Sequence, residues 1–286
     1  MRFYTPLRYP GGKGKLSYYI KSLLEENLIT DGCYVEPYAG GAAIALDLVV
    51  NEYVRNILIN DADPAVFSFW HSVINETDAL CSMIEKCDIT MDMWYEQKEI
   101  INSVNPIPSL QLGFAAFFLN RTNRSGILKA GVIGGKSQLG EWKMDVRFNK
   151  SDLISRVNKI SGYKNRIKVT NLDASELLLN INDLKIPDDK LLVYLDPPYY
   201  VKGQDLYRNY YEHEDHVNVM DSLRNSGIKN WLVSYDNSSE IKKIYSQFRQ
   251  TEYSLSYTAQ SKRVGEEVMI FSDALKIPNV NLGRAA

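Results

Sequence analysis

The stretch Leu191-Leu192-Val193-Tyr194-Leu195-Asp196-Pro197-Pro198-Tyr199 decides how this 286-residue chain is read. Five apolar residues in a row suit a strand buried on both faces of a parallel sheet. Two consecutive prolines cannot donate to a hydrogen-bond ladder, so the strand must stop at Asp196. The chain then leaves from the carboxyl edge of the sheet, where open α/β sheets place their sites.

Four further runs read as buried strands: Cys33–Glu36, Asn56–Asn60, Arg166–Thr170 and Trp231–Ser234. Helical patterns lie between them. Leu16, Ile20, Leu23, Leu24 and Leu28 share one face, as do Leu153, Ile154, Val157 and Ile160. Alternating strands and helices predict an α/β fold with a mostly parallel sheet covered on both sides. The last pair, Glu252–Tyr257 and Glu267–Phe271, is joined by Ser261-Lys262-Arg263 and Gly265 and reads as an antiparallel hairpin closing the sheet.

Residues 64–150 interrupt the alternation. They are helical in pattern to about residue 120. The basic run Asn120-Arg121-Thr122-Asn123-Arg124-Ser125-Gly126 follows, then Gly131, Gly134, Gly135 and Gly140. This predicts a mainly helical inserted subdomain, 64–150, carrying an exposed loop or hairpin, within a domain made of 1–63 and 151–286.

Composition narrows the classes. Hydrophobic content is 45% and the net charge is -2, which argues against disorder. No run of 18 apolar residues predicts a membrane span. The first residues lack the apolar core of a secretion signal, and three cysteines without a C-x-x-C pair suit a reducing cytoplasm. The small total hides a polarised chain. Residues 1–21 carry +5, residues 121–150 carry +5, and the remainder carries -12. Two basic blocks and 19 tyrosines suit a polyanion whose bases can stack.

The Asp196–Tyr199 tetrapeptide suits one chemical task. A carboxylate and a proline-restrained carbonyl can accept both hydrogens of an aromatic amine, and a tyrosine ring can stack on the attached heterocycle. The amine's lone pair, otherwise delocalised into the ring, is then free to attack. A strand-ending turn with a capping Asp is the plainer alternative, and the full tetrapeptide after a buried strand favours the site. Glu36-Pro37-Tyr38-Ala39-Gly40-Gly41 follows the first strand and precedes a helix at 42–51, where small residues admit a ligand close to backbone. It is not a G-x-G-x-x-G fingerprint.

After the second strand, Asp61 is placed to accept from a ribose diol, while Asp63-Pro64 reads as a helix cap. Asp173, past the strand through Val169, reads either as a contact to a nucleobase edge or as a cap for a helix at 175–179. Tyr9-Pro10-Gly11-Gly12-Lys13-Gly14-Lys15 fails the P-loop pattern because Leu16 follows; it reads as a lid, with Lys13 near a carboxylate. His213 and His216 lack a third ligand and read as a solvated helix start, so no metal is expected.

In this order the motifs resemble the Dam-type (D12 class, alpha arrangement) DNA adenine N6-methyltransferases, from Tyr9 to about Phe271. Arg263-Val264-Gly265-Glu266-Glu267-Val268 resembles their C-terminal hairpin, and the insert lies where they keep a target-recognition domain. The resemblance implies a class I methyltransferase sheet, S-adenosyl-L-methionine as methyl donor, base flipping, and direct transfer to adenine N6. Tyr9, Lys13, Asp61 and Asp196 match the family's cofactor-contacting positions. Glu36, Pro37, Ala39, Gly40 and Asp173 join them as candidate cofactor residues, and Asp196, Pro197, Pro198 and Tyr199 are the candidate catalytic set.

Asn120-Arg121 matches the start of the family's DNA-reading loop; Asn123, Arg124, Lys129 and Lys136 extend the candidate DNA-binding set. The run Leu128–Lys136 departs from the GATC-reading hairpin of the family, so GATC is not implied. The implied partner is double-stranded DNA, with the protein acting as a monomer in the cytoplasm, alone or beside a cognate restriction endonuclease. RNA adenine N6-methylation, and a non-catalytic DNA-binding protein on this fold, are the alternatives.

Overall fold

The computed structural model describes residues 4–8, 13–104, 106–201, 211–257 and 263–283. Among them the strands form one seven-stranded sheet. They are β1 (Cys33–Glu36), β2 (Asn56–Asn60), β3 (Ile167–Thr170), β4 (Leu191–Leu195), β5 (Trp231–Asp236), β6 (Arg249–Tyr257) and β7 (Arg263–Phe271). Their order is β3-β2-β1-β4-β5-β7-β6. The first five run parallel to one another, and β7 runs antiparallel to both β5 and β6. This mostly parallel sheet, closed by an antiparallel pair, is the α/β architecture that the sequence predicts. The order reverses at β1 and β4, so their carboxyl ends open a crevice at the switch point.

The central strands are buried because they are apolar on both faces. All five residues of β4 and all four of β1 are buried. One face packs under α1 (Ser17–Glu26), α2 (Ala43–Val50), α3 (Pro64–Asn75) and α7 (Lys150–Ser161), with Leu16, Leu23, Trp70 and Val157 in its core. The other packs under α8 (Ala174–Leu179), α9 (His213–Asn225) and α10 (Ser239–Ile244), with Leu178, Val219 and Ile241.

The segment 64–150, expected to be an insert, begins with α3 and continues through α4 (Thr77–Lys86), α5 (Met91–Ile101) and α6 (Leu110–Thr122). These helices do not stand off from the sheet. Phe69 of α3 stacks on Phe117 of α6 at 5.7 Å, inside the same apolar cluster as α1 and α2. Gly113 permits this approach, since a Cβ there would meet the Ser68 carbonyl at 2.6 Å. Residues 123–149 are turns and short 3-10 segments, with a single bridge between Asn123 and Val132 where a hairpin was one of the expected forms.

Two local expectations are corrected. Leu28 is not on the buried face of α1: the helix ends at Glu26, Leu28 takes a positive φ, and it is 74% exposed. His216 is not solvated. It lies in the first turns of α9 facing the sheet, fully buried, with its Nδ1 3.0 Å from the Tyr235 hydroxyl. Burial, which disfavours the imidazolium, pushes its pKa down to about 4.

Candidate active site

The carboxyl ends of β1, β2 and β4 surround a cavity of about 370 Å³. Glu36, Ala39, Gly40, Asp61, Lys13, Asp196 and Pro198 line it, together with Tyr38, Tyr194 and Tyr211.

Asp61 directly follows β2 and welds it to the β1 loop. Its Oδ2 accepts from Gly40 N and its Oδ1 from Asp63 N, both at 2.9 Å. Asp63 then caps α3 by accepting from Ala65 N at 2.9 Å, with Pro64 in the first turn, the cap that the Asp63-Pro64 pair predicts. Gly40 takes a φ of 45°, and its carbonyl accepts from Trp70 Nε1 at 2.8 Å. Behind the loop, Asn60 donates to the carbonyls of Pro37 and Leu172, and its Oδ1 accepts from Leu172 N and the Thr170 hydroxyl. Pro37 therefore supports the loop from below and does not line the cavity.

Glu36 lies at the end of β1. Its Oε1 accepts from Tyr34 OH at 3.0 Å and from Ala45 N, in the first turn of α2, at 3.1 Å. Burial, with a smaller contribution from Asp196, raises its pKa to about 8 despite those bonds. Burial next to Asp63 raises Asp61 to about 7. Two carboxyl groups this hard to ionise in one cavity are suited to a ligand that brings positive charge and donor groups.

At the end of β4, Asp196 Oδ1 receives Lys13 Nζ at 2.9 Å and the Ser234 hydroxyl at 2.8 Å. Tyr194 OH is 2.7 Å from Ser234 Oγ; as that serine's one proton goes to Asp196, the tyrosine is the donor. The Lys13 and Ser234 contacts both end on Oδ1 and leave Oδ2 for another partner. Lys13 also donates to Tyr199 OH at 2.8 Å and lies 3.4 Å from Glu267 Oε1. Tyr199 OH in turn donates to Glu267 Oε1 at 2.8 Å, and Tyr253 OH to Glu267 Oε2 at 2.5 Å. Burial would discharge Lys13, but Asp196, Tyr199 and Glu267 outweigh it and hold its pKa well above the ordinary value. Glu267 is pushed up by burial and pulled back by Lys13. A lysine charge between two carboxylates thus fixes both the Asp and the Tyr of the tetrapeptide.

A D12 class N6 adenine-specific DNA methyltransferase family model matches residues 9–259. The chain belongs to this family. It is an adenine-specific DNA methyltransferase, and S-adenosylmethionine is its methyl donor. No curated protein matches the chain. Among solved structures, an rRNA methyltransferase, aviRa, from Streptomyces viridochromogenes is 13% identical, with a TM-score of 0.41 over 92% of this chain and 86% of that one. The putative methyltransferase yhhF from Escherichia coli is 11% identical, with a TM-score of 0.36 over 93% and 91%. An uncharacterized protein from Listeria monocytogenes serotype 4b is 8% identical, with a TM-score of 0.37; this chain covers 66% of its length.

The cavity of the methyltransferase fits the donor: acidic groups for a cationic, hydroxyl-rich molecule, and small residues at Ala39 and Gly40 that leave backbone exposed to it. Several expected residues lie elsewhere. Asp173 does not line the cavity; its Oδ1 caps α8 by accepting from Ser175 N at 2.8 Å, and it faces a neighbouring pocket across Tyr211. Tyr9 lies outside the described residues. Pro197 and Tyr199, expected to meet the target base rather than the donor, do not line this cavity, and Tyr199 is buried.

Asn120 and Asn123 are buried and committed to bonds within the protein. Asn120 clamps the Arg8 amide and carbonyl, each at 2.7 Å, and donates to Gly126 O. Asn123 accepts from Trp94 Nε1 at 2.7 Å and donates to the carbonyls of Ile127 and Leu128. Arg121 is half-buried and lines the cavity, whereas Arg124, Lys129 and Lys136 are exposed on the loop beyond. Sequence reading gave no role to Tyr194 and Ser234, which it read only as strand residues, or to Tyr253 and Glu267, whose only signal was the family-like C-terminal hairpin. Among the described residues, no group of three or more His, Cys, Asp or Glu is arranged to hold a metal, and no helix is long and apolar enough to cross a membrane.

Proposed function

We propose that the enzyme methylates N6 of an adenine rotated out of double-stranded DNA at a specific site. The observation that carries this is Asp196, held through Oδ1 by Lys13 and Ser234 at the mouth of the donor cavity. Oδ2 and the Pro197 carbonyl are the acceptors for the two amino hydrogens, which frees the nitrogen lone pair. When bound, S-adenosylmethionine supplies a methyl group activated by its sulfonium. The protein contributes alignment, which is a large effect when two reactants are held in line. No nucleophile is required of it, and the described cavity lining holds no Ser, Cys or His.

The Tyr199 ring is the stacking platform, kept from rotating by the two bonds to its hydroxyl. An adenine inside a duplex cannot reach a recess of this kind, so the base must leave the stack. Residues 64–150 are the target-recognition part on this reading. Its exposed Arg124, Lys129 and Lys136, with Lys143 and Arg147, contact the duplex in place of Asn120 and Asn123. The enzyme acts as a monomer, with or without an endonuclease of the same specificity.

The test is radiolabelled methyl transfer to mixed-sequence duplex DNA with equal RNA in competition. Label in N6-methyladenine of the DNA is expected. Label in the RNA alone would overturn the choice of substrate, and label distributed over all adenines would overturn site specificity. Sequencing of the methylated positions reads the recognition site directly.

A further inference from the structure

The cavity that holds Glu36, Asp61 and Asp196 is also lined by three arginines, Arg8, Arg121 and Arg156. They come from three places: the N-terminal segment, the last turn of α6, and α7. Each is anchored. Asn120 grips the Arg8 backbone on both sides. Arg121 donates from Nε to Arg147 O at 2.7 Å and from Nη1 to Pro6 O at 3.3 Å. Arg156 donates from Nη1 to Thr5 O at 3.0 Å and pairs through Nε with Asp152 at 2.9 Å.

That pair is the one ion pair these three guanidiniums make with a carboxylate among the described residues. Arg8 Nη1 is buried and has no hydrogen-bond partner among the described residues. The group is electrostatically uncomfortable. Burial, then Arg8 and Arg156, push Arg121 down to about 10, and burial with Arg147 lowers Arg8. A bare buried donor and clustered like charges both cost stability. An oxyanion placed between them removes both costs, and the planar guanidinium matches its geometry. Lys13 is not available for this task, since Asp196 and Glu267 already neutralise it.

We propose that Arg8, Arg121 and Arg156 form an oxyanion site in the cleft, receiving the α-carboxylate of S-adenosylmethionine or a phosphate of the bound strand. The carboxylate is the favoured source. The arginines share one cavity with Gly40 and Asp61, and its acidic groups repel a polyanion while a zwitterion can turn each end to the opposite charge. This source rests on the methyl donor, so wild-type affinity for that donor is measured first.

The experiment is calorimetry on the full chain, wild type against Arg8→Gln and Arg121→Gln, with S-adenosylmethionine and with its decarboxylated analogue. Loss of a charge-assisted pair is expected to weaken S-adenosylmethionine by about tenfold or more in Arg8→Gln. The analogue should bind all three proteins alike, and bind the wild type more weakly than the parent. If the phosphate is the source, cofactor affinity is unchanged and the salt slope of duplex binding falls by about one. Unchanged cofactor affinity together with an unchanged salt slope in both variants overturns the site. Arg8→Lys, which keeps the charge and loses the fork, repeats the comparison if Arg8→Gln does not fold. A wild type that binds neither cofactor would overturn the donor assignment instead, a result separable from a defect confined to the variants.

Discussion

Glu36→Gln should make the protein's stability less sensitive to alkali. The amide oxygen can keep both bonds now made by Oε1, from Tyr34 OH and Ala45 N, so the fold is expected to tolerate the change. What disappears is a titration. The folded-state pKa of Glu36 is about 8 against an ordinary 4.5. A raised carboxyl pKa means that the native state holds a proton which the unfolded chain has released. That stabilisation is complete below about pH 4.5 and is lost as pH rises through about 8. Over that span of about 3.5 pH units, at about 1.4 kcal/mol per unit, the loss approaches 5 kcal/mol. For a chain of this size that is on the order of 10 °C in melting temperature. Scanning calorimetry of cofactor-free wild type and Glu36→Gln at several pH values between 5 and 9 reads it. The two proteins should melt closest together at pH 5, with the variant gaining on the wild type toward pH 9. Melting curves that stay parallel across the range would refute the reasoning, because Glu36 would then be ionised throughout.

Four other outcomes follow from the structure. Tyr199→Phe keeps the ring and removes the link between Lys13 and Glu267, so single-turnover transfer should fall about tenfold, the size of a lost charge-assisted bond; Tyr199→Ala should fall further, and equal rates in the two variants would exclude stacking. Glu267→Gln removes the charge that Tyr199, Tyr253 and Lys13 share, and should lower kcat more than the KM for either substrate; a change in KM alone would show that Glu267 does not position the tetrapeptide. Asn123→Ala strips the partner from the Trp94 indole and two carbonyls in a buried place, at a cost of about 3 kcal/mol by denaturant unfolding. By contrast, Lys129→Gln with Lys136→Gln should leave stability unchanged and reduce the salt slope of DNA binding by about two.

The parts of the fold legible in the chain were those set by near neighbours. β1, β2 and β4 begin and end where apolar runs meet polar residues or prolines. Asp63 is a cap because Pro64 and Ala65 follow it directly. The same local logic misled at Leu28, where the spacing continued but the helix had stopped, and at His216, where charged neighbours in sequence hid a buried place against Tyr235. In the insert, Asn120 and Asn123 carry residue types suited to reading bases. Their amides are instead consumed by Arg8, Trp94 and nearby carbonyls, because a buried backbone group must find a partner and these were within reach.

The sequence by itself determined the strand that stops at Asp196, the order of motifs along the chain, and the family they belong to. These depend on proline, glycine and apolar spacing, whose effects reach only a few residues. Tertiary structure alone decided which groups share the site. Lys13, Asp196, Ser234, Tyr253 and Glu267 are scattered over most of the chain, and the parallel crossings and the final antiparallel strands bring them within hydrogen-bond distance. It also decided their ionisation, since a carboxyl group such as Glu36 titrates according to the water removed around it and the charges beside it, and neither is written in its neighbours along the chain.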